Sequence, residues 1–374
     1  MPPINLLIKP ASGNCNLRCK YCFYKDVAKN REKESYGFMS EETLSKVLEK
    51  SLAYAERECV IAYQGGEPTL IGLDFFKKSL EYEKLHNINN VKIVHAIQTN
   101  GYTLNKEWVK FFKENNFLVG ISLDGNKATH DEYRKNLKEE GTFYRVLEGI
   151  NLLKKYEVDF NILTVVNSKT VNEIEKIYKF YRKNNLNFMQ FIPCLDKLNK
   201  NPGEDVYSIT PKEYGDFLNK LFDLWFEDFK KGNEPYIRTF DNYLAIILGY
   251  LPEACEHRGI CNKQYIIESD GEVYPCDFYV LDKYKLGNLN FNSINEIDNK
   301  RMDIKFIEHS MIETKQCKSC NYFKLCRGGC KRNRVEFNNS GNYINYFCQS
   351  YKMFFEYSLD RLISVANFIK YNKN

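Results

Sequence analysis

Over the first 235 residues, short apolar runs alternate with longer amphipathic stretches. The runs at 4–10, 59–64, 91–98, 117–123, 159–166 and 187–193 are rich in Val, Ile, Leu and Phe and largely unbroken by polar residues. That is the pattern of strands buried on both faces. Between them, stretches at 40–57, 73–86, 105–115, 142–156 and 170–184 read as helices. Ser40 followed by Glu41 and Glu42 predicts a capped helix start, and Pro211 after Thr210 opens a further helix over 211–231. Repeated β-then-α order implies parallel strands joined by right-handed crossovers. Six such units are too few for a closed eight-stranded barrel. The pattern therefore predicts an α/β fold, a partial (β/α)6 TIM-like barrel, with a doubly wound open sheet as the competing architecture.

The character changes after about residue 240. Residues 250–350 predict short strands and many turns, including a hairpin over 266–274 around Asp270-Gly271. So little apolar material leaves cross-linking to metal groups. The stretch 349–370 reads as an amphipathic helix with Phe354, Phe355, Leu359, Leu362 and Ile363 on it. The expected organisation is a barrel over 1–235, a small cysteine-rich domain over 236–350 and a terminal helix over 351–374.

Composition narrows the function classes. A net charge of +5 on 374 residues is mild, and no basic stripe marks a nucleic-acid footprint. No run approaches the length of a membrane span, and Met1-Pro-Pro leads straight into the first strand without a secretory signal. The expectation is a cytoplasmic protein with neither nucleic-acid nor membrane partners. In such a setting thiols stay reduced, so 13 cysteines point to metal or redox chemistry rather than disulfides.

The cysteines fall into two groups. Cys15, Cys19 and Cys22, spaced C-x3-C-x2-C, sit in the loop after the first strand, at the end where barrel active sites form. Eight more, Cys255, Cys261, Cys276, Cys317, Cys320, Cys326, Cys330 and Cys348, crowd the last third. Four thiolates hold one iron–sulfur cubane, so eight can complete two. Three leave one iron open. Cys59 and Cys194 are left over; Cys59 opens a buried strand, and neither carries an assigned function.

The motif Cys15-x3-Cys19-x-Tyr21-Cys22 resembles the signature of the radical S-adenosylmethionine (SAM) enzymes. Gln64-Gly65-Gly66-Glu67-Pro68 after the second strand and Ser122-Leu-Asp124 after the fourth are similar to further motifs of that family. The resemblance implies that Gly65, Gly66 and Glu67 serve the methionine amino group, Ser122 and Asp124 the ribose, Arg134 the carboxylate and Leu195 the adenine. Gln98-Thr-Asn100-Gly101 ends the third strand and is expected at the same mouth, with no role named. The C-terminal array, Cys261-x9-Gly271-x4-Cys276, Cys317-x2-Cys320-x5-Cys326-x3-Cys330 and Cys348, resembles the SPASM domain.

With Cys276-Asp277-Phe278-Tyr279, Lys9-Pro-Ala-Ser and Arg327-Gly-Gly-Cys330, the whole chain resembles the anaerobic sulfatase-maturating enzymes. That implies three [4Fe-4S] clusters and SAM. Cys15, Cys19 and Cys22 would hold the open cluster. Cys255, Cys261, Cys276 and Cys330 would hold a second, and Cys317, Cys320, Cys326 and Cys348 a third. It also implies oxidation of a cysteine or serine in an extended sulfatase polypeptide to Cα-formylglycine, begun by a 5′-deoxyadenosyl radical at Cβ. Asp277 would accept the proton, with Tyr24 and Gln64 near the substrate and packing an equal reading for Tyr24. A reduced flavodoxin- or ferredoxin-type protein would supply electrons.

Three readings compete. Another SPASM peptide modifier, forming thioether crosslinks or epimerising residues, is disfavoured because such proteins tend to carry an N-terminal recognition domain and this chain opens on its first strand. A zinc scaffold leaves the three-cysteine set beside Gly-Gly-Glu unexplained. A pure electron carrier would make the barrel superfluous.

Overall fold

In the computed structural model, residues 3–311, 314–337 and 342–372 are described. Each predicted parallel strand forms: β1 (Ile4–Ile8), β2 (Glu58–Tyr63), β3 (Lys92–Thr99), β4 (Leu118–Ser122), β5 (Phe160–Val166) and β6 (Phe188–Pro193), with a short β7 (Tyr236–Ile237) that the sequence pattern did not signal. Helices Glu41–Tyr54, Leu73–His86, Lys106–Glu114, Phe143–Lys155 and Ile174–Lys183 separate them, and Pro211–Lys230 follows β6. This is the (β/α)6 order of a partial barrel. The chain folds into two compact units, one of residues 1–123, 130–161 and 263–306, the other of 124–129, 162–262 and 307–374.

In the first unit β1 pairs in parallel with β2, β2 with β3 and β3 with β4. The predicted hairpin forms as β8 (Tyr265–Ile267) and β9 (Glu272–Tyr274), and β8 lies parallel to β1, extending the sheet on that side. Through this pairing Glu268 and Asp277 reach the same sheet end as Lys9 and Gln64. The strands are not buried alike on both faces. Along β2 Cys59, Ile61 and Tyr63 are fully buried, while Glu58, Val60 and Ala62 are half-buried. The closed face packs on helices such as Glu41–Tyr54, which buries Leu44, Val47, Leu48 and Leu52 at helical spacing. Ser40 caps that helix by accepting from the Thr43 amide at 3.1 Å, as the sequence predicts.

In the second unit β5 pairs in parallel with β6, and β6 with β7. Helix Pro211–Lys230 starts with a reciprocal Thr210–Glu213 capping box. It packs on the terminal helix Cys348–Asn372 through Phe222 and Phe354, whose ring centroids lie 5.8 Å apart. No helix among the described residues is long and apolar enough to cross a membrane.

Helix Arg238–Ile247 carries Asp241 in its first turn, where burial pushes the carboxyl up to about 6 against backbone hydrogen bonds that pull it down. A folded-state pKa above the unfolded value favours the native state at low pH, and that contribution is lost as pH rises through about 6. Asp241→Asn is therefore expected to raise the melting temperature at pH 8 and to change it little at pH 4. The shift corresponds to an upper bound of about 3 kcal/mol, and solvent screening of this half-buried group reduces it to about 1–2 kcal/mol. Paired melts at the two pH values check it.

Candidate active site

The loop after β1 is short and heavily cross-bonded. The Sγ of Cys15 accepts from the Leu17 amide and that of Cys22 from the Lys25 amide, both at 3.4 Å. Cys22 thereby caps the helix Phe23–Lys29. Burial, with the Glu67 charge adding to it, pushes the Cys15 thiol up to about 12. A thiolate there needs a compensating cation, which is the condition under which metal binding drives deprotonation. Amide donors aimed at sulfur and a thiol-only donor set both fit an iron–sulfur cluster.

Glu67 is 1% exposed and organises the loop rather than facing outward. Its Oε1 accepts from the Thr69 amide and from the Thr69 and Thr99 hydroxyls, and its Oε2 accepts from the Asn100 amide at 2.7 Å. Burial raises its pKa, and these bonds oppose the rise. Asn100 now has a role: its Nδ2 donates to Asn16 Oδ1 at 2.8 Å and lies 3.8 Å from Cys15 Sγ, tying the cysteine loop to Glu67.

The paired glycines are required by crowding. Gly66 has φ +52°, and a Cβ there would lie 2.1 Å from the Asn14 carbonyl oxygen. Gly66→Ala is expected to cost about 2 kcal/mol or more, read as a lower denaturation midpoint. Gly65 has φ +109°, and its missing Cβ leaves room for the Lys9 side chain, whose Cγ would be 2.7 Å away.

Asp277 follows Cys276 in a short 3-10 turn and is 9% exposed. Its Oδ1 accepts from the fully buried Lys9 ammonium, and its Oδ2 from Gln64 Nε2 at 2.7 Å. Phe278 packs edge-on against Phe23 at 4.9 Å, anchoring the turn to the helix after the cysteine loop. Tyr24 is 4% exposed; its hydroxyl donates to Glu268 and its ring carries the Lys9 ammonium 4.0 Å from the centroid. Burial, with the Glu268 charge adding to it, holds the Tyr24 hydroxyl far above its usual pKa. Arg31 and Glu268, which sequence reasoning missed, are both buried and pair at 2.8 Å.

Arg134 is 6% exposed, with its guanidinium 5.4 Å from the Tyr21 ring centroid. The Ser122 hydroxyl accepts from Gln98 Nε2 at 3.2 Å. Asp124 is fully buried and accepts from the Val165 amide at 3.0 Å. Leu195 is half-buried just past β6.

The second unit gathers seven of the eight C-terminal cysteines in two groups. Cys317, Cys320, Cys326 and Cys348 line one cavity with Tyr351 and Phe355. Burial pushes the Cys326 thiol up to about 12, the other three adding to it. Burial likewise pushes Cys330 up to about 12, and there the neighbours that add are Glu256, Cys255 and Cys261. Cys276 belongs to the first unit.

Comparison with known proteins agrees with this geometry. The model of the radical SAM superfamily matches residues 10–181, and that of the SPASM iron-sulfur cluster-binding domain matches residues 255–321. The cysteine-type anaerobic sulfatase-maturating enzyme of Clostridium novyi is 48% identical, covering 100% of both chains. The serine-type enzyme of Bacteroides thetaiotaomicron is 33% identical, covering 95% of this chain and 89% of its own. The solved structure of native anSMEcpe with bound AdoMet and Cp18Cys peptide superposes with a TM-score of 0.93 at 47% identity, covering 98% of this chain and 100% of the other. The fold and the thiol array are those of a radical SAM enzyme with a SPASM extension. Within that class the chain belongs to the anaerobic sulfatase-maturating enzymes.

Proposed function

We propose that this chain oxidises a cysteine of an extended sulfatase segment to Cα-formylglycine. The observation that carries the reading is Asp277, a nearly buried carboxylate held at both oxygens beside the cluster thiol Cys276. Cysteine as the target is supported by identities of 47–48% to cysteine-type relatives against 28–33% to serine-type ones.

Cys15, Cys19 and Cys22 would hold one [4Fe-4S] cluster. Cys255, Cys261, Cys276 and Cys330 would hold a second, and Cys317, Cys320, Cys326 and Cys348 a third. SAM would be held by the backbone of Gly65 to Glu67, by Ser122, Asp124 and Arg134, and by packing on Tyr21 and Leu195. Bound together, these groups would supply the electron that reduces SAM, a hydrogen-abstracting radical and an acceptor for the electron the substrate gives up, and water would then replace the sulfur of the resulting thioaldehyde, released as hydrogen sulfide. The chain's own work is positional. Asp277 takes the thiol proton of the substrate cysteine, and Gln64 and Lys9 fix the plane of its carboxylate. Backbone pairing of an extended peptide is the expected mode of recognition. A reduced flavodoxin- or ferredoxin-type protein is the proposed donor, and the cytoplasm the proposed location. Residues 1–235, 236–350 and 351–374 are the proposed functional divisions.

The test is anaerobic turnover with SAM, dithionite and paired peptides carrying C-x-P-x-R or S-x-P-x-R, read by mass spectrometry. The cysteine peptide is expected to give formylglycine at a clearly higher kcat/KM than the serine peptide. 5′-Deoxyadenosine without any change in either peptide would overturn the substrate assignment.

A further inference from the structure

We propose that Lys9 is the positioning residue for Asp277, and that Tyr24, Glu268 and Arg31 exist in this site to hold Lys9. The inference rests on the reaction assigned above and adds residues to it. Four charged side chains alternate in sign along one buried string. Arg31 pairs with Glu268, and Lys9 pairs with Asp277. The side chains of Arg31, Glu268 and Lys9 are all 0% exposed, while that of Asp277 is 13% exposed. The string therefore has one open end, and that end is the carboxylate.

Tyr24 joins the two pairs. Its hydroxyl donates to Glu268, and its ring face holds the Lys9 ammonium at 4.0 Å. A ring face holds a cation without competing as a second carboxylate would. Among the described residues, Asp277 is the carboxylate that the Lys9 ammonium pairs with. The Lys9 stem runs in a slot made by Gly65, where a Cβ would stand 3.0 Å from Nζ. The backbone itself is thus shaped around this lysine.

Two buried ion pairs are a poor way to stabilise a fold, since apolar residues of similar volume often do as well or better. What ions supply is orientation. Lys9 takes Oδ1 and Gln64 takes Oδ2, so the carboxylate plane is fixed before a peptide arrives. Preset geometry of this kind governs proton transfer more than it governs binding.

The test compares reconstituted wild-type holoenzyme with Lys9→Met, which keeps the stem and removes the charge. Lys9→Met is expected to lower kcat for formylglycine by about tenfold or more with KM for the peptide within about twofold. The ratio of 5′-deoxyadenosine formed to peptide oxidised is expected to rise well above the wild-type value, because hydrogen abstraction continues while the proton step falters. Anisotropy of a labelled C-x-P-x-R peptide on the unreduced holoenzyme is expected to give unchanged affinity. If Lys9→Met does not fold, Glu268→Gln carries the test through the same ratio, with a fall in kcat of about threefold or more. A wild-type ratio and a kcat within twofold of wild type in the variant that folds would overturn the inference. A proportional loss of both products would also overturn it, since that is the mark of a merely structural role. Failure of the wild type itself to oxidise the peptide would instead remove the assigned reaction.

Discussion

Asp277→Asn is expected to lower formylglycine formation by about 10²–10⁴-fold while 5′-deoxyadenosine still forms. The amide keeps the size of the side chain and loses its ability to accept a proton. It also leaves the Lys9 ammonium, fully buried, without its carboxylate. Removing one partner of a buried pair costs about 3–5 kcal/mol, so the single variant should melt lower as well. Pairing Asp277→Asn with Lys9→Met separates the effects. The double variant is expected to recover most of the lost stability and none of the lost activity. Recovery of activity would show that Asp277 matters only as a counterion to Lys9.

Replacing Cys15, Cys19 and Cys22 together by alanine is expected to abolish SAM cleavage altogether. The eleven cysteines proposed as ligands divide as three, four and four, so a cubane at each proposed site would give about twelve irons per chain. The triple variant should retain about eight, because neither of the other two proposed sets draws on the loop after β1. Iron and sulfide analysis after anaerobic reconstitution reads this directly. A fall to near zero would mean that the first cluster is needed for the others to assemble. An unchanged count would mean that the loop is not a cluster site. The loop's own bonds argue against both, since amides already point at Cys15 and Cys22 and Asn100 braces the loop against Glu67.

The strands and helices of the barrel were legible because each buried strand is a short apolar run and each helix repeats its apolar positions at helical spacing. The cysteine groups stand out in the sequence by their spacing, and the structure brings Cys317, Cys320, Cys326 and Cys348 around one cavity. The pairing of β8 with β1 was not legible, since a three-residue strand carries too little pattern to announce a partner. Nor was the charge string. Lys9, Arg31 and Glu268 are charged residues in a chain with many, and sequence does not say which are buried. Glu268 falls in the predicted hairpin beside the Asp270-Gly271 turn, where a charged residue gives no sign of burial, and it is fully buried. One signal could have found Lys9: it directly follows the apolar run of β1, at the strand end where barrel chemistry gathers. Sequence likewise does not show that Gly65 makes room for the Lys9 side chain. Nor does sequence show that the Glu67 carboxylate accepts four internal donors.

The most direct measurement uses a C-x-P-x-R peptide whose cysteine carries two deuterons at Cβ. After anaerobic turnover with SAM and dithionite, 5′-deoxyadenosine and peptide are read by mass spectrometry. One deuteron in 5′-deoxyadenosine, with one retained in a formylglycine peptide, is the predicted result. Unlabelled 5′-deoxyadenosine, or a peptide that keeps both deuterons and its sulfur, would contradict abstraction at Cβ and with it the assigned reaction.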